Sequence, residues 1–115
     1  MIRTSSIIYA DTLSVLNAIR SVMLSLEWDD ALQQALPQDR LDASQALLDV
    51  QHAISVLSNA VLAAIAADLQ ANDADLQKAT KAVQAALQSL KQVTNVINTV
   101  STLISVVGKV VKLIP

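Results

Sequence analysis

Apolar residues and alanines recur at alternating intervals of three and four in the last third of the chain, which is the spacing of a heptad repeat. The positions on this stripe are Leu76, Ala79, Val83, Ala86, Leu90, Val93, Ile97, Val100, Ile104, Val107, Val111 and Ile114. With Leu76 at heptad position a, the five lysines that follow all fall on the outward positions b, c and f. The pattern predicts one long helix over 73–107, or as far as 114. Such a helix would be about 60 Å long, and other helices must cover its stripe.

Two further helices are predicted upstream of this stripe. Apolar residues at helical spacing run over 6–36, with a break near 27–30 where an acidic stretch interrupts the pattern. A second helix is predicted over 40–70, beyond Pro37, because the residue before a proline is disfavoured in the helical region. Asn72 is the predicted N-cap of the third helix.

Together these elements predict a single all-α domain over residues 1–115, either a three-helix bundle or an extended helical hairpin with a long C-terminal helix. The chain of 115 residues contains one glycine and two prolines, so tight hairpin turns between strands have little to form from. Val96, Leu103 and Val110 widen the stripe of the third helix, as expected in a bundle core. Gly108 is expected to end or bend that helix.

The charge distribution is lopsided although the net charge is only −2. All ten acidic residues lie at or before Asp75, whereas every lysine follows it. We interpret this separation first as attraction between helices within one bundle. An anionic membrane contacted by Lys91, Lys109 and Lys112 is the alternative partner.

No complete membrane span is predicted, although the hydrophobic fraction is 53%. The two longest uncharged stretches, 53–67 and 92–108, fall short of the roughly 20 apolar residues that a transmembrane helix requires. Because no signal peptide is recognisable either, a cytoplasmic location is favoured.

Few residues are candidates for catalysis or for binding a metal or a partner. The chain has no cysteine, and its single histidine, His52, follows Asp49 by three residues, a spacing that can place two metal ligands on one helix face. Both residues fall on the outward side of the predicted helix, so a solvated pair is the better interpretation. Trp28 is either an exposed anchor for a partner or a ring that covers the end of the bundle, and we favour the latter. No catalytic residue, metal ligand or cofactor is therefore predicted.

The favoured function is a non-enzymatic interaction or assembly module that forms a homo-oligomer or docks a partner helix through the apolar seam, in the manner of a coiled coil. The candidate interface residues are Leu90, Val93, Ile97, Val100, Leu103, Ile104, Val107 and Trp28. The alternative is a membrane-active amphipathic protein that forms pores or binds peripherally. Nucleic acid is not an expected partner, because no aromatic residue lies among the lysines.

Overall fold

The computed structural model describes residues 3–112, and this part of the chain confirms the all-α class. It contains six helices and no strand within the described residues. The helices are α1 (Ser5–Met23), α2 (Leu26–Gln33), α3 (Pro37–Asn59), α4 (Leu62–Ala71), α5 (Asp73–Ala86) and α6 (Val93–Val107). They form a flat body with dimensions of 43 × 32 × 18 Å. Each of the three predicted helices is therefore divided into two.

The first division lies at Leu24 and Ser25 rather than at 27–30. The backbone N–H of Ser25 donates to the carbonyl of Val22, and its hydroxyl accepts a hydrogen bond of 3.2 Å from the N–H of Trp28. Ser25 is thus the N-cap of α2. The acidic residues beside Trp28 lie in the first turns of α2, where negative charge is favourable, and they do not interrupt a helix.

The predicted helix over 40–70 is divided at Ala60 and Val61, which both adopt extended backbone conformations. Pro37 occupies the first turn of α3, a position where the missing N–H costs nothing. The bend at Ala60 and Val61 redirects the chain so that α4 packs against α1, with Ile65 and Leu69 buried.

The long third helix is replaced by a helical hairpin. Residues 87–92 form a turn, and α5 and α6 pack extensively against each other. The rod of about 60 Å predicted from the heptad stripe is therefore not observed, and the longest dimension of the body is 43 Å. Helix α6 ends at Val107, before Gly108; the predicted extension reaches Ile114, which lies outside the described residues.

The core is built around α1, which contacts α3, α4 and α5, while α6 packs against α3 and α5. Alanines on the inner side of α3 allow its neighbours to approach closely: Ala43, Ala46 and Ala53 are all buried. The largest fully buried side chains are Trp28, Ile8, Leu16, Ile19, Leu57, Leu69, Leu76 and Leu103. The hydroxyl of Tyr9 lies at the edge of this core and donates to the carbonyl of Leu57 at 3.0 Å.

Candidate interaction surface

The residues predicted to form an interface belong to the core of the single chain. Leu90, Val93, Ile97, Val100, Leu103 and Val107 are buried, and Ile104 is half-buried and packs against them. The seam is covered as the heptad pattern requires, but α3 and α5 of the same chain supply the cover for α6. These side chains can contact a second chain only if α6 leaves its place in the body.

Trp28 is 2% exposed and is the only buried residue of α2. Its ring joins the main hydrophobic cluster. This placement matches a covering ring at the end of the bundle and leaves no exposed aromatic anchor at this position. Trp28 is therefore the main contact between α2 and the body, and the partly buried Ala31 and Leu32 pack beside it on the core.

Exposed leucines lie in a different part of the chain from the predicted seam. Among the described residues, seven large apolar side chains are mostly exposed, and five of them fall between residues 24 and 48. We call these five the leucine surface: Leu24, Leu26, Leu36, Leu41 and Leu48. Leu26 is the most exposed of them, at 82%. None of the five was singled out as exposed from the sequence, because the exposure of Leu24, Leu26 and Leu36 depends on the helix breaks at either end of α2.

Leu41 and Leu48 occupy the outer face of α3. They are seven residues apart, so they lie on the same side of the helix, about 10.5 Å apart along its axis. Their exposed fractions are 66% and 60%. The opposite side of α3 carries its buried alanines. The helix thus carries two exposed leucines on the face opposite its buried alanines.

A polar stripe lies beside these two leucines on α3. The side-chain amide of Gln38 donates to Asp42 at 2.9 Å, and that of Gln45 donates to Asp49, also at 2.9 Å. Each of these hydrogen bonds spans one helical turn and holds a carboxylate in place. The outer face of α3 therefore presents an apolar stripe with an ordered acidic border, a combination that suits a partner with basic residues beside an apolar stripe.

A polar groove of about 1040 Å³ opens between α2, the start of α3 and the α5–α6 turn. Its walls carry the carboxylates of Glu27, Asp30 and Asp39, with Lys91 and several side-chain amides opposite. No group of three or more histidine, cysteine or acidic residues within 3–112 is arranged to hold a metal ion. His52 is exposed on α3 and lies outside this groove.

An ion-pair cluster ties the start of the chain to the α4–α5 corner. The guanidinium of Arg3 donates to Asp73 through Nε at 3.0 Å and to Asp11 through Nη1 at 3.1 Å. The amide of Gln77 also donates to Asp73 at 3.1 Å. These hydrogen bonds, with that from Arg3 as the largest cause, lower the pKa of Asp73 below its usual value, and the same contact raises the pKa of Arg3.

Replacing Asp73 by asparagine is expected to lower the free energy of unfolding at neutral pH by about 1 kcal/mol, the upper end for partly exposed ion pairs. Because the pKa of Asp73 is lower in the folded state, its contribution is fully present above the ordinary aspartate pKa of about 3.9 and is lost as the pH falls through the lowered value. Urea denaturation of the wild type and of Asp73→Asn, from neutral to acidic pH, should show that the difference between their free energies of unfolding becomes smaller as the pH falls.

The matched control for this measurement is Asp75→Asn, an exposed aspartate in the same first turn of α5. It is expected to change the stability by less than about 0.5 kcal/mol. If Asp75→Asn and Asp73→Asn lower the free energy of unfolding equally, the lost stability comes from the interaction with the helix dipole and not from the contact with Arg3.

The lysines considered for membrane contact are exposed but do not form one patch. Lys91 precedes α6, and Lys109 and Lys112 follow it. The 15 residues of α6 separate the two groups by about 22 Å along the helix axis. Within 3–112, no single helix has the length and hydropathy needed to cross a membrane; α1 and α2 meet the criterion only as a pair bent by 59°.

No protein-family model, curated protein or solved structure matches this chain.

Proposed function

We propose that the protein is a non-enzymatic helical module that assembles with another protein chain through the leucine surface. One observation carries the proposal: five of the seven exposed large apolar side chains within 3–112 fall in the segment 24–48. Exposed leucines occur singly on most proteins, whereas a contiguous apolar patch is typical of an interaction site, and Leu41 and Leu48 share one face of α3. The prediction of an assembly module is thus kept, and its contact surface moves from the buried seam to α2 and the outer face of α3.

Burial of these leucines is the source of binding free energy. Covering one leucine completely contributes about 1.5–3 kcal/mol, and Leu41 and Leu48 present two such side chains with the two-turn spacing used when one helix packs along another. The acidic border formed by Asp42 and Asp49 favours a partner with lysine or arginine beside its apolar stripe.

A second copy of the chain is the first partner to test. All five lysines lie within 3–112, are exposed and follow Asp75 in the sequence. A second copy of the chain can therefore place a basic surface against the acidic border of α3. Lys78 and Lys81 lie on the outer side of α5, away from the buried residues of that helix. A symmetric homo-oligomer is therefore the expected assembly.

Sedimentation velocity from low to high micromolar concentration tests this surface. The double variant Leu41→Ser/Leu48→Ser is expected to weaken self-association by at least about a hundredfold, because the two substitutions together remove roughly 3–6 kcal/mol of apolar burial. Its circular dichroism spectrum should stay unchanged, since both side chains are exposed.

The matched control is Ile7→Ser/Val61→Ser, which removes the two exposed large apolar side chains that lie outside the segment 24–48. This control should associate as the wild type does. An equal loss in both double variants contradicts the proposed surface, and a wild type that remains monomeric throughout contradicts self-assembly.

Binding to an anionic membrane is the second candidate function. It is favoured by α6, which carries no charged residue and buries a continuous apolar face that could transfer to a lipid surface. Flotation with vesicles containing phosphatidylglycerol separates the two functions. A protein that stays at the bottom of the gradient at neutral and acidic pH excludes this candidate, and one that floats only with anionic lipid favours it.

A further inference from the structure

The heptad register of the apolar seam continues without interruption through a turn. Leu76, Ala79, Val83 and Ala86 lie on α5, Leu90 lies in the turn, and the spacing resumes on α6. Two helices that merely pack as a hairpin need no common register across the connecting turn. A continuous helix does, because only a fixed register keeps all these residues on one side.

The turn itself contains nothing that prevents a helix. Residues 87–92 include no glycine and no proline, and none of the described residues has a positive φ. Leu87 has helical dihedral angles, φ −68° and ψ −12°, whereas Gln92, with ψ 67°, departs from them. The N–H groups of Gln88 and Ser89 already bond to carbonyls three residues earlier. The turn thus begins in near-helical geometry, and the residues between it and Gln92 must change conformation to join α5 and α6.

From these observations we infer that the hairpin opens at residues 87–92 and that two copies of the chain exchange α6. In the open form, residues 73–107 make one helix about 52 Å long, which is longer than the 43 Å body of the closed molecule. The α6 of each copy then occupies the site between α3 and α5 of the other copy. The occupant fits this site because it is the same sequence that fills it in the closed form.

The exchange conserves the packing that stabilises the closed molecule. Buried residues of α6 such as Val96, Val100 and Leu103 leave their own chain and enter an equivalent site, so the apolar area lost within one chain is regained between two. The joined helix adds hydrogen bonds across the former turn. The cost is the entropy of association, so the exchanged dimer is favoured by high protein concentration.

The site between α3 and α5 that receives α6 is separate from the leucine surface, because no residue of the leucine surface belongs to the turn or to α6. Opening the turn also removes one wall of the polar groove, which residues 88–92 line together with Asp39. The proposal therefore has a geometric signature of its own: contacts between α3 and α6 become contacts between chains.

A pair of cysteines at Asp39 and Thr94 detects the exchange. The hydroxyl of Thr94, on α6, lies 3.5 Å from the carboxylate of Asp39, on α3, and the chain has no other cysteine. The protein Asp39→Cys/Thr94→Cys is concentrated under reducing conditions, its dimer fraction is isolated, and the disulfide is then formed by oxidation. Exchange predicts a covalent dimer on a non-reducing gel, whereas a dimer that uses the leucine surface alone gives only covalently closed monomers.

Substitutions in the turn test the mechanism. Lys91 is exposed, and a proline at this position would clash within a continuous helix. Lys91→Pro is therefore expected to weaken dimerisation by about a hundredfold or more. Lys91→Gly should weaken it by a smaller factor, about tenfold, and serves if the proline variant does not fold. Ser89→Ala, which favours the helix, should strengthen dimerisation by about threefold to fivefold.

Val61→Pro is the control, because Val61 has a φ of −79° and follows an extended residue at another helix break. It should leave dimerisation unchanged.

Covalent monomers alone, or a dimer indifferent to the Lys91 variants, overturns the exchange, and so does a wild type that never dimerises. A dimer that responds to Lys91 but not to Leu41→Ser/Leu48→Ser supports the exchange and contradicts self-assembly through the leucine surface. The reverse response supports that surface and contradicts the exchange.

Discussion

Val100→Asp is expected to leave the protein unfolded at neutral pH. Val100 is 0% exposed and lies near the middle of α6, between the residues that pack on α3 and α5. A carboxylate at this position would be buried without a cationic partner, a change that costs several kcal/mol or more. A domain of this size has a total stability of only about 5–15 kcal/mol. The loss should appear as a collapse of the helical circular dichroism signal and a red shift in the fluorescence of Trp28.

Ser105→Asp is the matched control for this variant. It introduces the same charge into the same helix, at an exposed position. We expect it to change the free energy of unfolding by less than about 0.5 kcal/mol. If Val100→Asp remains as stable as Ser105→Asp, then α6 does not occupy the core, and both the described packing and the exchange of α6 between chains are wrong.

Trp28→Ala is expected to lower the free energy of unfolding by about 3–5 kcal/mol, the usual cost of deleting a buried aromatic ring. Trp28 is the only buried residue of α2, so its removal takes away the main contact between that helix and the body. An eight-residue helix is not stable by itself in water. We therefore expect loss of α2 helicity in the folded state, visible in hydrogen exchange of residues 26–33, together with a lower midpoint in urea denaturation.

Leu26→Ala provides the comparison for Trp28→Ala. It truncates a large side chain on the same helix, but Leu26 is 82% exposed. Its effect on stability should stay within about 0.5 kcal/mol. A Leu26→Ala cost close to that of Trp28→Ala would mean that α2 is held by its outer face, contrary to the burial described above.

The heptad pattern predicted the buried side of each C-terminal helix but not the path of the chain. Leu76, Val83, Val93 and Val100 are all buried, as the stripe requires. Periodicity reports which residues share a face, and it cannot tell whether a neighbour from the same chain or from another one covers that face. The same apolar pattern is therefore compatible with two arrangements. One is the long helix covered by a partner that the sequence predicted, and the other is the helical hairpin that the structure contains.

The helix breaks differ in how visible they are in the sequence. Ser25 is a good N-cap residue three positions before Trp28, so the start of α2 had a local signal that the acidic stretch obscured. Ala60, Val61 and the turn over 87–92 include neither glycine nor proline. Their breaks are imposed by packing of α4 on α1 and of α6 on α5, which overrides local helix propensity. The exposure of Leu24, Leu26 and Leu36 depends on the breaks at either end of α2, whereas that of Leu41 and Leu48 follows from their side of α3.

The central position of α1 has a consequence for synthesis on the ribosome. This helix leaves the exit tunnel before α3, α4 and α5, which cover it in the folded protein. Ile8, Leu16 and Ile19 thus lack their full cover until α5 has been translated. While α3, α4 and α5 are being translated, α1 is an amphipathic segment with an uncovered apolar side, the kind of transiently exposed surface that promotes aggregation during folding.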